Sequence, residues 1–83
     1  MFYDSELMKV QVVFHGELSE LTGAGHKYYY DVSSLGDLKL RIRDDFPGLV
    51  HLGCRVFLND RRSSENAPLK NNDKIILIPE RDL

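Results

Sequence analysis

The side chains suited to nucleophilic or metal chemistry are few in this sequence and stand far apart. Cys54 is the one cysteine, so it cannot form a disulfide within the chain, and it lies in no Cys-X-X-Cys pattern. The histidines His15, His26 and His51 follow no His-X-His or His-X-X-X-His spacing. Because zinc needs several converging ligands, we expect no metal site, and we interpret Cys54 as a structural residue.

Two acidic pairs, Asp44 with Asp45 and Glu17 with Glu20, are the remaining candidates for acid–base catalysis. Catalytic carboxylates act across a cleft, and a domain of 83 residues has little room for one. The sequence also contains no glycine-rich loop that could hold a phosphate. We therefore expect no catalytic activity and no cofactor, and we interpret both pairs as solvated surface charge.

Length and composition indicate one small globular domain over residues 1–83. Apolar residues make up 42% and charged residues 29%, a mixture typical of folded proteins. The net charge of -2, with the basic residues scattered among acids, argues against a nucleic-acid partner. No apolar run approaches the roughly 18 residues of a membrane span, and the acidic extension over residues 1–7 is no signal peptide. The single cysteine suits a cytoplasmic protein.

The first part of the chain predicts two strands joined by a short helical turn. Residues 8–14 are rich in β-branched side chains that alternate with polar ones. Leu18 and Leu21 then stand three apart before Gly23, which is typical of a short helix that ends at glycine. A second strand is predicted over residues 26–32. Its three tyrosines, residues 28–30, either pack the strand and leave one ring exposed or form an aromatic contact surface.

One long helix is predicted in the middle of the chain. Ser34 can cap its first turn, and Pro47-Gly48 ends it. Apolar residues recur in it at spacings of three, four and four, which indicates one buried face. These residues are Leu35, Leu38, Ile42 and Phe46. We expect all four to lie against a sheet, because no other part of the chain could bury them.

The remaining strands are short and are separated by turns. We predict a strand over residues 55–59, a turn over residues 59–62, a second turn over residues 71–73 and a last strand over residues 74–78. A sheet laid across one helix, in this element order, is a β-grasp arrangement. The predicted fold is therefore α+β, a mixed sheet packed on one main helix, with the first and last strands as parallel neighbours in the sheet centre.

Three segments, in this order, resemble the MoaD/ThiS sulfur carriers, which have a ubiquitin-like β-grasp fold. The first is the strand over residues 8–14 running into Leu18-Ser19-Glu20-Leu21-Thr22-Gly23. The second is Phe46-Pro47-Gly48-Leu49. The third runs from Val56-Phe57-Leu58-Asn59-Asp60 through Pro68-Leu69-Lys70-Asn71-Asn72-Asp73-Lys74-Ile75 to Ile78-Pro79. The resemblance covers residues 8–79 and implies the same fold as the element order.

The resemblance also draws attention to the C-terminal tail, residues 80–83. Family members end in Gly-Gly, whose carboxylate is adenylated and then converted to a thiocarboxylate that delivers sulfur. This sequence contains no Gly-Gly pair, and it ends Pro79-Glu80-Arg81-Asp82-Leu83. We expect these five residues to contact a partner, and we expect that the carrier reaction does not occur on them.

The resemblance implies a protein-interaction module or a degenerate sulfur carrier related to the small subunit of molybdopterin synthase. Its partner would be a larger protein, such as the large subunit of that synthase or an activating enzyme, and the chain would be at most a non-catalytic subunit. A genuine carrier in molybdopterin or thiamin synthesis remains an alternative if the chain is truncated, as does an RnfH-like interaction protein. The interaction-module hypothesis predicts an exposed apolar patch on the sheet.

Overall fold

The computed structural model describes residues 8–51, 53–63 and 67–80. Its elements, in chain order, are β1 (Lys9–Phe14), α1 (Glu17–Thr22), β2 (His26–Tyr30), α2 (Leu35–Asp45), a 3-10 turn (Pro47–His51), β3 (Cys54–Leu58), β4 (Arg61–Ser63) and β5 (Lys74–Pro79). The five strands form one sheet in the order β2-β1-β5-β3-β4. β1 and β5 are parallel, and the other neighbouring strands are antiparallel.

The parallel pair in the sheet centre confirms the predicted topology. Val12 lies opposite Ile75, and Phe14 lies opposite Leu77, so the apolar positions of both strands face the same side. All four side chains are buried, and Val12 and Ile75 have no exposed surface. The alternation of apolar residues thus builds the sheet side of the core.

Helix α2 covers that inner face of the sheet. The Ser34 side chain caps the helix by accepting a hydrogen bond from the Asp37 backbone N–H at 3.2 Å, as predicted. Leu35, Leu38 and Ile42 are buried against the sheet. The remaining member of the predicted stripe, Phe46, is only half-buried, because it lies one residue beyond the last helical turn.

Helix α1 also forms where the sequence predicts it. Gly23 ends the helix in the left-handed conformation, with φ of 73°, and its N–H donates to the Ser19 carbonyl. Leu18 is fully buried, but Leu21 is 53% exposed. A helix of six residues turns only one narrow side toward the core, and Leu18 is its buried residue.

Several predicted element boundaries differ from the structure; β1 begins at residue 9 instead of 8, and β3 covers residues 54–58 instead of 55–59. β2 ends at Tyr30 because Asp31 has a positive φ of 58°, which breaks the extended backbone before Val32. The β3–β4 turn is shorter than predicted. Only Asn59 and Asp60 form it, both with positive φ, so residues 61–63 pair with β3. β5 continues through Pro79, one residue beyond the predicted end.

Candidate functional site

The face of the sheet opposite α2, here called the outer face, carries an apolar patch. Val13 lies opposite Ile76, and Ile76 lies opposite Phe57, so the three side chains form one row across β1, β5 and β3. Ile78 follows two residues after Ile76 on the same face of β5. All four side chains are half-buried, unlike the inner-face residues of the same strands. These four residues are the outer-face patch, and their partial burial makes the patch less exposed than the interaction-module hypothesis predicts.

Aromatic side chains continue the outer face at the β2 edge. Tyr28 is 43% exposed and Tyr30 is 49% exposed, whereas Tyr29 is buried on the inner face. The Tyr28 ring makes an edge contact with His26, with the ring centres 5.8 Å apart. The register places His26 opposite Val13, so the tyrosine edge adjoins the outer-face patch. Two exposed rings therefore lie on the outer face and one ring packs inside.

Cations surround the outer-face patch. Lys9 and Lys74 are exposed, and they occupy outer-face positions of β1 and β5. Arg55 lies opposite Ile78 on β3 and is half-buried. Its Nε atom is buried and has no hydrogen-bond partner in the described part of the chain. The sequence shows these cations as scattered, and only the strand order reveals that they share one face.

On the other side of the sheet, one member of an acidic pair has a structural role. Asp45 Oδ2 accepts hydrogen bonds from Lys27 Nζ and from the Tyr29 hydroxyl, each at 2.8 Å. The hydrogen bonds from Lys27 and then from Tyr29 lower the pKa of Asp45. Burial and the hydrogen bond to Asp45 raise the pKa of Tyr29. Asp45 is exposed, as expected of a surface charge, and it also links β2 to the end of α2.

Cys54 lies at a groove between α2 and the sheet that has a volume of about 330 Å³. The groove is lined by Lys39, Ile42, Arg43, Leu49, Cys54, Val56 and Leu77. Burial, and then the nearby Glu80 carboxylate, raise the pKa of the Cys54 thiol, which disfavours the reactive thiolate at neutral pH. Within the described ranges, no cluster of His, Cys, Asp and Glu side chains could hold a metal ion. The groove thus offers apolar contact, not nucleophilic chemistry.

The structure places only the beginning of the predicted C-terminal contact region. Pro79 is fully buried as the last residue of β5, opposite Cys54. Glu80 is exposed, and its N–H donates to the Gly53 carbonyl at 2.9 Å. Residues 81–83 (Arg81, Asp82 and Leu83) and the extension over residues 1–7 lie outside the described residues. A partner contact by the tail therefore stays a prediction.

Comparison with known proteins identifies the fold through solved structures. No protein-family model matches the sequence, and no curated protein sequence matches it. A Pyrococcus furiosus protein described as molybdopterin converting factor subunit 1 superposes with a TM-score of 0.79 at 19% identity, covering 87% of this chain and 97% of that one. The small archaeal modifier protein 1 of Methanosarcina acetivorans gives a TM-score of 0.76 at 18% identity, covering 89% and 94%.

A Haloferax volcanii structure of the small archaeal modifier protein 1 has the same similarity, with a TM-score of 0.76 at 18% identity, covering 86% of this chain and 93% of that one. None of the helices in the described part is long and apolar enough to cross a membrane. The match covers 97%, 94% and 93% of these three solved structures. The chain therefore has the ubiquitin-like β-grasp fold of MoaD-like proteins and small archaeal modifiers.

Proposed function

We propose that this chain is a MoaD/ThiS-like interaction module that docks on a larger cytoplasmic protein through the outer face of its sheet. The outer-face patch carries this proposal. Its side chains form a continuous apolar row that is only half-buried, and docking would remove the remaining apolar surface from water. The raised pKa of Cys54 and the structural role of Asp45 support a non-catalytic role.

The names of the similar structures suggest which partners to test. One of them is described as molybdopterin converting factor subunit 1, so the large subunit of molybdopterin synthase is the first candidate. An activating enzyme of the MoaD/ThiS type is the second. The tail over residues 79–83 would add a second contact, which begins at the exposed Glu80 because Pro79 is buried.

A charge in the centre of the outer-face patch tests this proposal. In Ile76→Glu, docking would bury a carboxylate among Val13 and Phe57, and we expect the affinity for the cognate partner to fall by about 30-fold or more. Isothermal titration calorimetry against each purified candidate measures the affinity. Leu40→Glu is the matched control, because Leu40 is already 58% exposed on α2 and should tolerate the charge.

The possible outcomes separate the parts of the proposal. Circular dichroism first verifies that both variants retain the fold. If Ile76→Glu binds as tightly as the unmodified chain, the outer face is not the docking surface. If Leu40→Glu lowers the affinity as much as Ile76→Glu does, the loss is not specific to the outer face and the assignment of the docking surface fails. If neither candidate binds the unmodified chain, both suggested partners are wrong.

A further inference from the structure

The outer face has a charge character opposite to that of the whole chain. The sequence contains 13 acidic and 11 basic residues, with a net charge of -2. Yet the outer-face positions of β1, β2, β3 and β5 include Lys9, Arg55 and Lys74 and not one acidic residue. In the described part of the chain, the acidic residues lie on the two helices or in segments next to the strands. Those next to the strands are Asp31, Asp60, Asp73 and Glu80.

The three cations are not neutralised within the described part of the chain. The ion pair found there joins Lys27 to Asp45 on the inner side. Lys9 Nζ lies 5.1 Å from the centre of the Tyr28 ring, a contact that leaves its hydrogen-bond donors open. Glu80, one residue beyond β5, forms no ion pair with Arg55. A carboxylate brought by a partner would therefore meet cations that no acidic side chain of the described part pairs with.

Arg55 adds a specific reason to expect a carboxylate. Its buried Nε lacks an acceptor among residues 8–51, 53–63 and 67–80, and a buried donor left without an acceptor destabilises a folded protein. A guanidinium prefers a carboxylate that accepts two parallel hydrogen bonds, one of which can come from Nε. Reorientation of the side chain toward an incoming carboxylate would satisfy this donor.

The strand register determines the distance between the backbones that carry Lys74 and Arg55. Lys74 and Ile78 lie four residues apart on β5, and Arg55 lies opposite Ile78. At about 3.3 Å per residue, the backbones that carry Lys74 and Arg55 are separated by roughly 13 Å along the strand. Ile76 lies between them, in the row with Val13 and Phe57. One cation thus lies at each end of the apolar contact.

We propose that the outer face binds an acidic, apolar partner segment, in which apolar side chains are flanked on both sides by Asp or Glu. This inference rests on the proposed docking function and specifies the chemistry of the partner. The flanking carboxylates pair with Lys74 and Arg55 while the apolar residues cover the outer-face patch. Few cations stand at outer-face positions of a chain with net charge -2, which favours a protein ligand over a nucleic-acid backbone.

Three synthetic peptides test the proposal by NMR titration of the full, 15N-labelled chain. The first has Leu-Phe-Leu between two Glu residues, the second has the same centre between two Lys residues, and the third has Ser-Ser-Ser between two Glu residues. We expect the first to shift the backbone amides of Val13, Phe57 and Ile76, with an affinity roughly tenfold above that of the second. Added salt should reduce this difference.

Charge-reversal variants provide the matched comparison. Lys74→Glu should remove most of the preference for the Glu-flanked peptide. Lys39→Glu makes the same change of charge on α2 and should leave the preference unchanged. Equal binding of the Glu- and Lys-flanked peptides at the outer face would overturn the charge inference but leave the docking surface intact.

Other outcomes are equally decisive. If neither apolar peptide shifts the outer-face amides, the inference fails, and the calorimetry with Ile76→Glu decides separately whether the docking function also fails. Titrations with phosphatidylglycerol vesicles and with a single-stranded oligonucleotide complete the test. Saturable binding of either one at the outer face, with no preference for the Glu-flanked peptide, would assign the cations to a lipid surface or a nucleic acid instead.

Discussion

Asp45 shows how a single side chain connects elements that are distant in sequence. Its carboxylate receives the Lys27 ammonium and the Tyr29 hydroxyl, and the Lys27 ammonium also lies 5.2 Å from the ring centres of Tyr29 and Phe46. Its neighbour Asp44 is exposed and makes no such contact with any residue of the described ranges. Asp44 and Asp45 are neighbouring aspartates that the sequence alone does not distinguish, yet only Asp45 contacts β2.

The first prediction concerns Asp45→Asn. At pH 7 we expect a loss of about 1 kcal/mol of unfolding free energy. The ion pair with Lys27 is partly exposed and adds little to stability. Most of the loss comes from the Tyr29 hydroxyl, which no longer donates to a charged carboxylate. The folded-state pKa of Asp45 is lowered, so its stabilising effect is complete above its ordinary pKa of 3.8. The effect is lost as the pH falls through the lowered value.

Urea denaturation between pH 7 and pH 2 measures this dependence. The difference between the unmodified chain and Asp45→Asn should shrink toward the acidic end of the range. Asp44→Asn is the control, and its effect should stay within about 0.5 kcal/mol as for other exposed substitutions. A difference for Asp45→Asn that remains constant with pH would show that its charge does not stabilise the fold.

At the scale of elements, local sequence patterns were sufficient for most of the fold. The strands over residues 9–14 and 74–79 follow from alternation, and α2 follows from its cap and its apolar stripe. The β3–β4 turn was predicted too long because the Asn59 side chain is held by contacts with the end of the 71–73 turn and the start of β5, which a local pattern does not show. Asn59 accepts from the Lys74 N–H and donates to Asp73, both distant in sequence.

The candidate site was less predictable than the fold for the same reason. The alternation of side chains within β1 and within β5 places Val13 and Ile76 on the face opposite the buried residues, so an apolar patch could be expected from each strand alone. Its row with Phe57, and the cation at each end, depend on the strand order β1-β5-β3, which joins segments far apart in sequence. No local pattern specifies which cations of separate strands share one face. The contact of Asp45 with Tyr29 of β2 was not predicted, because it also joins residues that are distant in sequence.

The second prediction tests the packing of α2 on the sheet. Leu38 is 1% exposed in the middle of the helix, so Leu38→Ala should cost about 3 kcal/mol of unfolding free energy by removing buried contacts and leaving a cavity. Phe46→Ala should cost less, because Phe46 is half-buried and lies beyond the helix. Leu40→Ala on the exposed side should change stability by under about 0.5 kcal/mol.

Equilibrium urea unfolding of the three variants gives these values. The order of the losses is the informative result, since it follows from burial and not from residue type. A loss for Leu40→Ala as large as that for Leu38→Ala would contradict the orientation of α2 against the sheet.

At the scale of the whole molecule, the two faces of the sheet have different roles. The inner face and α2 form the core, and the acidic side chains of the helices lie on that side of the molecule. The outer face presents an apolar row with cations around it. β5 contributes side chains to both faces of the sheet. It pairs with β1 and β3 and leads into the tail at Glu80. A partner on the outer face would therefore lie close to the start of the tail.

The last prediction concerns the chemistry of that tail. A polypeptide of this 83-residue sequence should not become a thiocarboxylate when incubated with a MoaD/ThiS-type activating enzyme, ATP and a sulfur donor. Leu83 has a branched side chain at the residue that would react, with the Asp82 carboxylate next to it, where glycine would allow close approach of the backbone. Misplacing a reacting carbonyl by about 1 Å can reduce the rate roughly 10²-fold. Intact-mass spectrometry detects the replacement of one oxygen by sulfur.

Two variants of the tail distinguish the possible explanations. In one, Gly-Gly replaces Leu83 after Asp82, and in the matched control Ala-Ala does so, which gives the same length with Cβ atoms present. A thiocarboxylate on the Gly-Gly variant alone would identify a degenerate carrier whose docking surface still functions. The same product on the unmodified chain would refute the interaction-module proposal. If all three polypeptides remain unchanged while the outer face still binds its partner, the chain shares the carrier fold but acts through docking alone.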